Sequence, residues 1–182
     1  MKRIVMLMAL AAMMAAAMAL SGVAQAAKGG NKANAQCKAE AVRTLHPGFK
    51  PSDYNFIGGT EGDDFTFQTT AGPDVLCGFG GNDFIGISDQ IDEGDIFLGG
   101  DGSDYVYNNY GTFYGQEGDD TAIINYGTVY GEAGDDFVDV NDFNGTVYGG
   151  DGSDYVNIND GTYFGGPGDD SVGLGGGIFV QD

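Results

Sequence analysis

Beyond Lys50 this sequence contains no lysine or arginine. Its seven basic residues (Lys2, Arg3, Lys28, Lys32, Lys38, Arg43 and Lys50) all precede Pro51, as does Glu40, one of its 27 acidic residues. Residues 51–182 therefore hold the other 26 acids and a formal charge of −26. Nothing basic is present there to meet phosphate, which excludes nucleic acid and an anionic membrane surface as partners. The same absence argues against a polysaccharide lyase, whose proton abstraction and uronate recognition use Lys or Arg; that class is the strongest enzymatic alternative. Histidine is almost missing as well. His46, beside Pro47, is the single copy, which disfavours zinc and imidazole-based proton transfer. Ser103, Ser153 and Ser171 have no partner for nucleophilic work. Acid pairs such as Asp119–Asp120 recur in every unit, so they belong to a repeat rather than to a glycosidase pair. The expectation is a protein that is not an enzyme.

A charge of −26 on one segment ordinarily marks a disordered acidic tail. Here 12 Phe and 10 Tyr are too many for such a tail, and the aromatic and apolar residues recur in register with the acids. One phrase repeats, Gly-Asp/Ser/Asn-Asp followed by x-apolar-x. Its copies end at Asp64, Asp83, Asp104, Asp120, Asp136, Asp154 and Asp170. Each carries a loop glycine: Gly62, Gly81, Gly102, Gly118, Gly134, Gly152 and Gly168. Self-similarity at a short fixed period means a solenoid, in which each unit buries its apolar residue only by stacking on its neighbours.

From Asp104 to Asp170 the period is 16 residues, once 18. Each period holds a six-residue acidic loop, a three-residue strand, a second loop and another three-residue strand. The middle residue of each strand points inward: Val106, Phe113, Ala122, Val129, Val138, Val147, Val156, Tyr163 and Val172. The seven aspartates stack on one edge. Asp74 and Asp95 lie on the opposite edge, where Asn109, Asn125, Asn141 and Asn159 then suggest a structural amide ladder. The fold class expected is all-β, a parallel β-roll or β-helix solenoid of about seven two-strand coils.

The N-terminus is an export signal. Lys2 and Arg3 precede an Ala/Met/Leu-rich stretch up to Leu20, and Ala24-Gln25-Ala26 supplies small residues for cleavage after Ala26. No Cys follows the apolar run, so a lipid anchor is not expected. The organisation reads as signal peptide (1–26), linker and helical cap (27–56) and repeat array (57–182). The mature chain is then secreted, with no membrane insertion. Cys37 through Leu45 is a good helix former ended by His46-Pro47-Gly48, and such a helix would cover the open end of the solenoid. Two cysteines in a secreted chain suggest one disulfide, Cys37–Cys77, pinning the cap to the first coils.

Gly78-Phe-Gly-Gly-Asn-Asp-Phe-Ile-Gly86 and Gly149-Gly-Asp-Gly-Ser-Asp-Tyr-Val-Asn157 resemble the calcium-binding nonapeptide of RTX (haemolysin-type) proteins. The resemblance covers the repeat array. It implies a parallel β-roll in which the seven repeat aspartates and the carbonyls of same-side loops enclose Ca²⁺. The 16-residue period and the N-terminal signal depart from the usual RTX pattern, which pairs ion edges and exports through a C-terminal signal.

The chemistry independently points the same way. Two carboxylates ~5 Å apart on adjacent coils repel by about 3 kcal/mol at an effective dielectric near 20, and a divalent cation turns that repulsion into ligation. Calcium is a hard ion that accepts carboxylate and carbonyl oxygens together. The function expected is a secreted calcium-binding repeat protein with a structural or adhesive role. The alternatives are a carbohydrate- or ice-binding solenoid, reading Thr112, Thr128, Thr146 and Thr162 with Tyr114, Tyr130, Tyr148 and Phe164 as a binding face for a cell-surface glycan or ice.

Overall fold

Val138 and Val147 face each other across one coil, each 3% exposed, and that alternation repeats throughout the array. The computed structural model describes residues 26–27, 30–87 and 90–181. The signal peptide, apart from Ala26, lies outside the described residues. Ala26–Ala27 (β1) pairs in parallel with Thr66–Phe67 (β3). One helix, α1 (Asn31–Thr44), precedes the array.

An eight-stranded parallel sheet forms one wall. In spatial order it runs β2 (Asn55–Gly58), β4 (Asp74–Gly80), β6 (Ile96–Asp101), β8 (Thr112–Glu117), β10 (Thr128–Ala133), β12 (Thr146–Asp151), β14 (Thr162–Phe164) and β16 (Ile178–Val180). The facing wall has six strands: β5 (Phe84–Ile85), β7 (Tyr105–Asn109), β9 (Thr121–Asn125), β11 (Phe137–Asn141), β13 (Tyr155–Asn159) and β15 (Ser171–Leu174). Strands neighbouring in space alternate in sequence, so the chain winds as a flattened parallel β-solenoid.

Register follows from the inward residues. Val129 pairs with Phe113 on one side and Val147 on the other, while Val138 pairs with Ala122 and Val156. Val106, Phe113, Ala122, Val129, Val138, Val147, Val156 and Tyr163 are all buried, and Val172 in the last full coil is partly so. Each buried valine contributes about 1.5–3 kcal/mol of transfer free energy, but only because the next coil covers it.

The sequence pattern suggested three-residue strands and about seven coils. The observed strands reach five to seven residues, and the long wall has eight strands. The longer strands have a local cause. Glycine lets the loop backbones approach closely enough to continue the ladder past the strands. Glu132 pairs with Gly150 and Ala133 with Asp151, and the Gly102, Gly118 and Gly134 amides donate to carbonyls one coil on at 2.8–2.9 Å. The eighth strand is β2, half of which falls inside the segment read as cap.

The helix also sits differently. It begins at Asn31 rather than Cys37 and packs at the β2 end of the long wall, lying over its outer face. Leu76 points into the solenoid core, so its neighbours Val75 and Cys77 point out. Cys37, Ala41 and Leu45 bury themselves against Val75, Cys77 and Leu98. The Cys37–Cys77 disulfide is formed, with Cα atoms 5.5 Å apart. The early start has a tertiary reason: Asn34 Oδ1 accepts the Gly58 amide at 3.1 Å, capping the edge of β2. Among the described residues, no helix is long and apolar enough to cross a membrane.

Candidate functional site: a column of buried aspartates

The seven repeat aspartates lie on one edge, one per coil, and each is 0–8% exposed. They are joined into a chain. The Asp64 amide donates to Asp83 Oδ1 at 2.8 Å, and the Asp83 and Asp104 amides donate to Asp104 and Asp120 at 2.7 Å each. Asp120 and Asp136 continue it at 2.8 Å to Asp136 and Asp154, and Asp154 ends it at 2.9 Å on Asp170. Each side chain thus accepts from the coil before its own.

That leaves the second oxygen. Oδ2 of Asp83, Asp104, Asp120, Asp136, Asp154 and Asp170 is buried and receives no hydrogen bond. Asp64, at the head of the column, takes the Thr60 amide on Oδ2 at 2.7 Å and leaves Oδ1 without a partner. The orphaned oxygens fill a notch made by the glycine five residues earlier. A Cβ on Gly78, Gly99, Gly115, Gly131 or Gly149 would overlap its own coil's Asp Oδ2 and crowd the matching glycine carbonyl of the next coil. The column is therefore lined by carboxylate and carbonyl oxygens with no donor aimed at the free oxygen.

Desolvation raises these carboxyl groups. Burial, partly offset by the amide each accepts, lifts Asp83 to about 8, Asp104 and Asp136 to about 7, Asp120 to about 9 and Asp154 to about 6. Asp64 is raised for the same first reason. An unmet oxygen in a low-dielectric notch favours whatever positive charge can reach it.

The loop glycines named from sequence sit beside the column. Gly81, Gly102, Gly118, Gly134, Gly152 and Gly168 have φ between 97° and 155°, a region that other residues avoid. A Cβ on Gly118 would overlap the Gly102 carbonyl, and one on Gly134 the Gly118 carbonyl, so these carbons stack at close approach. Outside the column a second ladder runs with opposite polarity. The amides of Asn82, Asp135 and Ser153 donate to the side chains of Asp63, Asp119 and Asp135 in the coil before, at 2.8–2.9 Å.

The far edge behaves differently. Asn109, Asn125, Asn141 and Asn159 form the expected amide ladder, Nδ2 to Oδ1, at 2.8, 2.9 and 2.8 Å. Each of these amides also donates to a backbone carbonyl. In the early coils Asp74 has both oxygens bonded, Oδ1 by Asn55 and Thr70 and Oδ2 by the Thr70 amide. Among the described residues, only the near edge carries a run of free carboxylate oxygens.

An oxygen-only donor set suits a hard cation such as Ca²⁺ and not zinc. Among the described residues no three His, Cys, Asp or Glu side chains converge on one point, so an ion in the column would draw much of its coordination from backbone carbonyls. The notch glycines Gly59, Gly78, Gly99, Gly115, Gly131, Gly149 and Gly165 were not singled out from sequence. Their constant offset of five residues before each aspartate was the available signal.

The fold and site together define a parallel β-solenoid with a buried aspartate column, a structural repeat module. No family model matches the chain, and neither a curated protein nor a solved structure matches it.

Proposed function

We propose that this is a secreted, non-catalytic calcium-binding module whose solenoid is stabilised by Ca²⁺ held among the stacked acidic, glycine-rich loops. The carrying observation is the run of buried Oδ2 atoms with no hydrogen-bond partner. Asp83, Asp104, Asp120, Asp136, Asp154 and Asp170 would each offer one oxygen, and neighbouring loop carbonyls the remainder. The bound ion supplies positive charge where the notch provides none. The resemblance of the repeat to the RTX nonapeptide supports the same reading, and the N-terminal signal supports secretion. The test is a calcium titration of the EDTA-treated protein followed by circular dichroism and calorimetry. Saturable uptake with a gain in β signal is expected; no uptake at millimolar calcium refutes the proposal.

A second reading, adhesion to a glycan, is favoured by a groove of about 530 Å³ between the cap and the long wall. Thr112, Thr128, Tyr114, Tyr130, Lys50 and Asp53 line it, a mixed polar and apolar surface of the kind sugars use. The tyrosine rings stack on one another, so a sugar would meet their edges and hydroxyls rather than their faces. A glycan array run with calcium and again with EDTA tests it. Binding that Thr128→Val weakens supports this groove, and the absence of any glycan signal removes it.

A further inference from the structure

On the outer face of the long wall three tyrosines stand directly above one another. Tyr114 pairs in register with Tyr130, and Tyr130 with Tyr148. Their ring centroids are 4.7 and 4.8 Å apart and the planes differ by 8° and 6°. The run is bounded: Leu98 precedes Tyr114 in the same register and Phe164 follows Tyr148. Neither neighbour carries a phenol, so the column holds three phenols and stops.

The rest of the sequence makes these phenols the chain's main oxidisable groups. All six methionines fall within the first 18 residues and there is no tryptophan. Both cysteines are consumed by the disulfide. Once the leader is removed, tyrosine is the side chain left to lose an electron, with His46 the single imidazole. Tyr148 is 39% exposed, giving the column an opening to solvent. Among the described residues the Tyr114, Tyr130 and Tyr148 hydroxyls form no hydrogen bonds, so no internal base or donor holds them.

We propose that Tyr114, Tyr130 and Tyr148 form a covalent cross-linking site, in which one-electron oxidation joins adjacent phenols of neighbouring coils as an intrachain dityrosine. Two phenols each lose one electron and one proton to give phenoxyl radicals. The radicals combine through one ortho (Cε) carbon of each ring, forming a C–C bond. Each displaced Cε hydrogen moves to its ring's oxygen and restores two phenols. The two electrons and two protons reduce one hydrogen peroxide to two waters, with a haem peroxidase as carrier. The parallel β register supplies the selectivity, since it holds each tyrosine against its counterpart one coil away. The result is a staple between coils on the outer face, beginning two coils beyond the strand that holds the Cys37–Cys77 disulfide. This inference rests on the solenoid fold and is independent of calcium.

The experiment oxidises the folded full chain with a peroxidase and hydrogen peroxide at high dilution, reading dityrosine fluorescence, monomer mass and peptide maps. Trypsin is useless beyond Lys50, so cleavage before aspartate is used. It places Tyr130 in peptide 120–134 and Tyr148 in peptide 142–150. The stacked Tyr110–Tyr126 pair, 4.6 Å apart on another face, is removed by Tyr126→Phe in every arm. The expected result is a monomer lighter by two hydrogens, with Tyr130 joined to Tyr148 or to Tyr114. Tyr130→Phe keeps an aromatic ring in the column, as Phe164 does naturally, but leaves the two remaining phenols two coils apart. The cross-link should then vanish while the circular dichroism is unchanged. Dityrosine that persists in the Tyr130→Phe chain, links only between molecules, or a link equally abundant in urea-unfolded chain would each overturn the proposal.

Discussion

The backbone amide of Asp120 donates to Oδ1 of Asp136, 2.8 Å away in the next coil, while Oδ2 of Asp136 finds no donor. One carboxylate thus does two unlike things. Its first oxygen is a rung of the backbone ladder and fixes register between coils. Its second is a buried acceptor that stabilises the fold only when a proton or a metal ion satisfies it. On the proposed function, protons and calcium would compete for the same oxygens, which makes the state of the column measurable.

The first prediction concerns pH in the absence of metal. Unfolded aspartate titrates near 3.8, whereas the folded chain holds the Asp120 proton to about 9 and those of Asp104 and Asp136 to about 7. The folded state binds more protons across this window, so its stability is full below the unfolded value and is lost as pH rises through the folded ones. Each such group withdraws about 1.4 kcal/mol per pH unit between its two values. Urea midpoints in EDTA should therefore fall steadily from pH 5 to pH 9. A midpoint that rises with pH contradicts the buried, unmatched oxygens.

Much of this was legible in the sequence. An apolar or aromatic residue at every inward position and aspartate at a fixed offset pointed to the solenoid, the single acidic edge and the amide ladder, because a 16-residue period leaves little freedom. The chain of amide-to-carboxylate bonds was not legible. Asp120 and Asp136 look identical along the sequence, and which one donates depends on how far successive coils are offset. The helix position was within reach: Leu76 is core-facing, so Cys77 must face outward, and a bridge to it pulls the helix onto the wall. The early start at Asn31 was hidden, since Asn34 gains its role only from the Gly58 amide.

The notch behind each aspartate should be intolerant of a methyl group. Gly131 has an ordinary backbone conformation, so Gly131→Ala tests space alone. The added carbon would overlap Asp136 Oδ2, pushing the carboxylate off the Asp120 amide, at a cost of about 1–3 kcal/mol. Placed on an Asp136→Ala background, the same change should cost less, because the competing oxygen is gone. Additive losses in chemical denaturation would show that the notch and the carboxylate are not coupled.

The amide edge should matter equally with and without metal. Asn125→Ala deprives Asn141 Oδ1 of its side-chain donor and Asn109 Nδ2 of its 2.8 Å side-chain acceptor. Each buried group left unpaired costs about 1–3 kcal/mol. Melting in calcium and in EDTA should show the same loss, since among the described residues this edge carries no free carboxylates. A loss confined to EDTA would mean that the two edges are energetically linked.

Reducing the disulfide should loosen the cap first. The bridge spans a separation of 40 residues, which in the chain-entropy model is worth about 3–4 kcal/mol. Cys37 and Ala41 are the buried residues of α1, so little else anchors the helix. Cys37→Ser with Cys77→Ser should raise amide exchange in α1 and β2 while leaving β8 through β13 protected. Uniform loss of protection along the array would show that the cap is needed for the whole solenoid.

The sharpest test replaces a single oxygen. Asp136→Asn keeps Oδ1 as acceptor for the Asp120 amide and puts an NH₂ where Oδ2 lies, beside the Gly149 carbonyl oxygen. The new group is a donor facing acceptors and carries no charge, so it supplies permanently what a proton or cation supplies reversibly. At pH 8 in EDTA the variant should be more stable than the parent, by roughly 1–2 kcal/mol if one hydrogen bond and one unfavourable ionisation are at stake. In saturating calcium the order should reverse, because the position has lost its anionic ligand. Asp136→Ala should instead be worse than the parent in both conditions, since it orphans the buried Asp120 amide. Parallel denaturation curves of the three proteins, with and without calcium, decide the matter. If asparagine and alanine behave alike, the second oxygen has no energetic role and the calcium proposal loses its support.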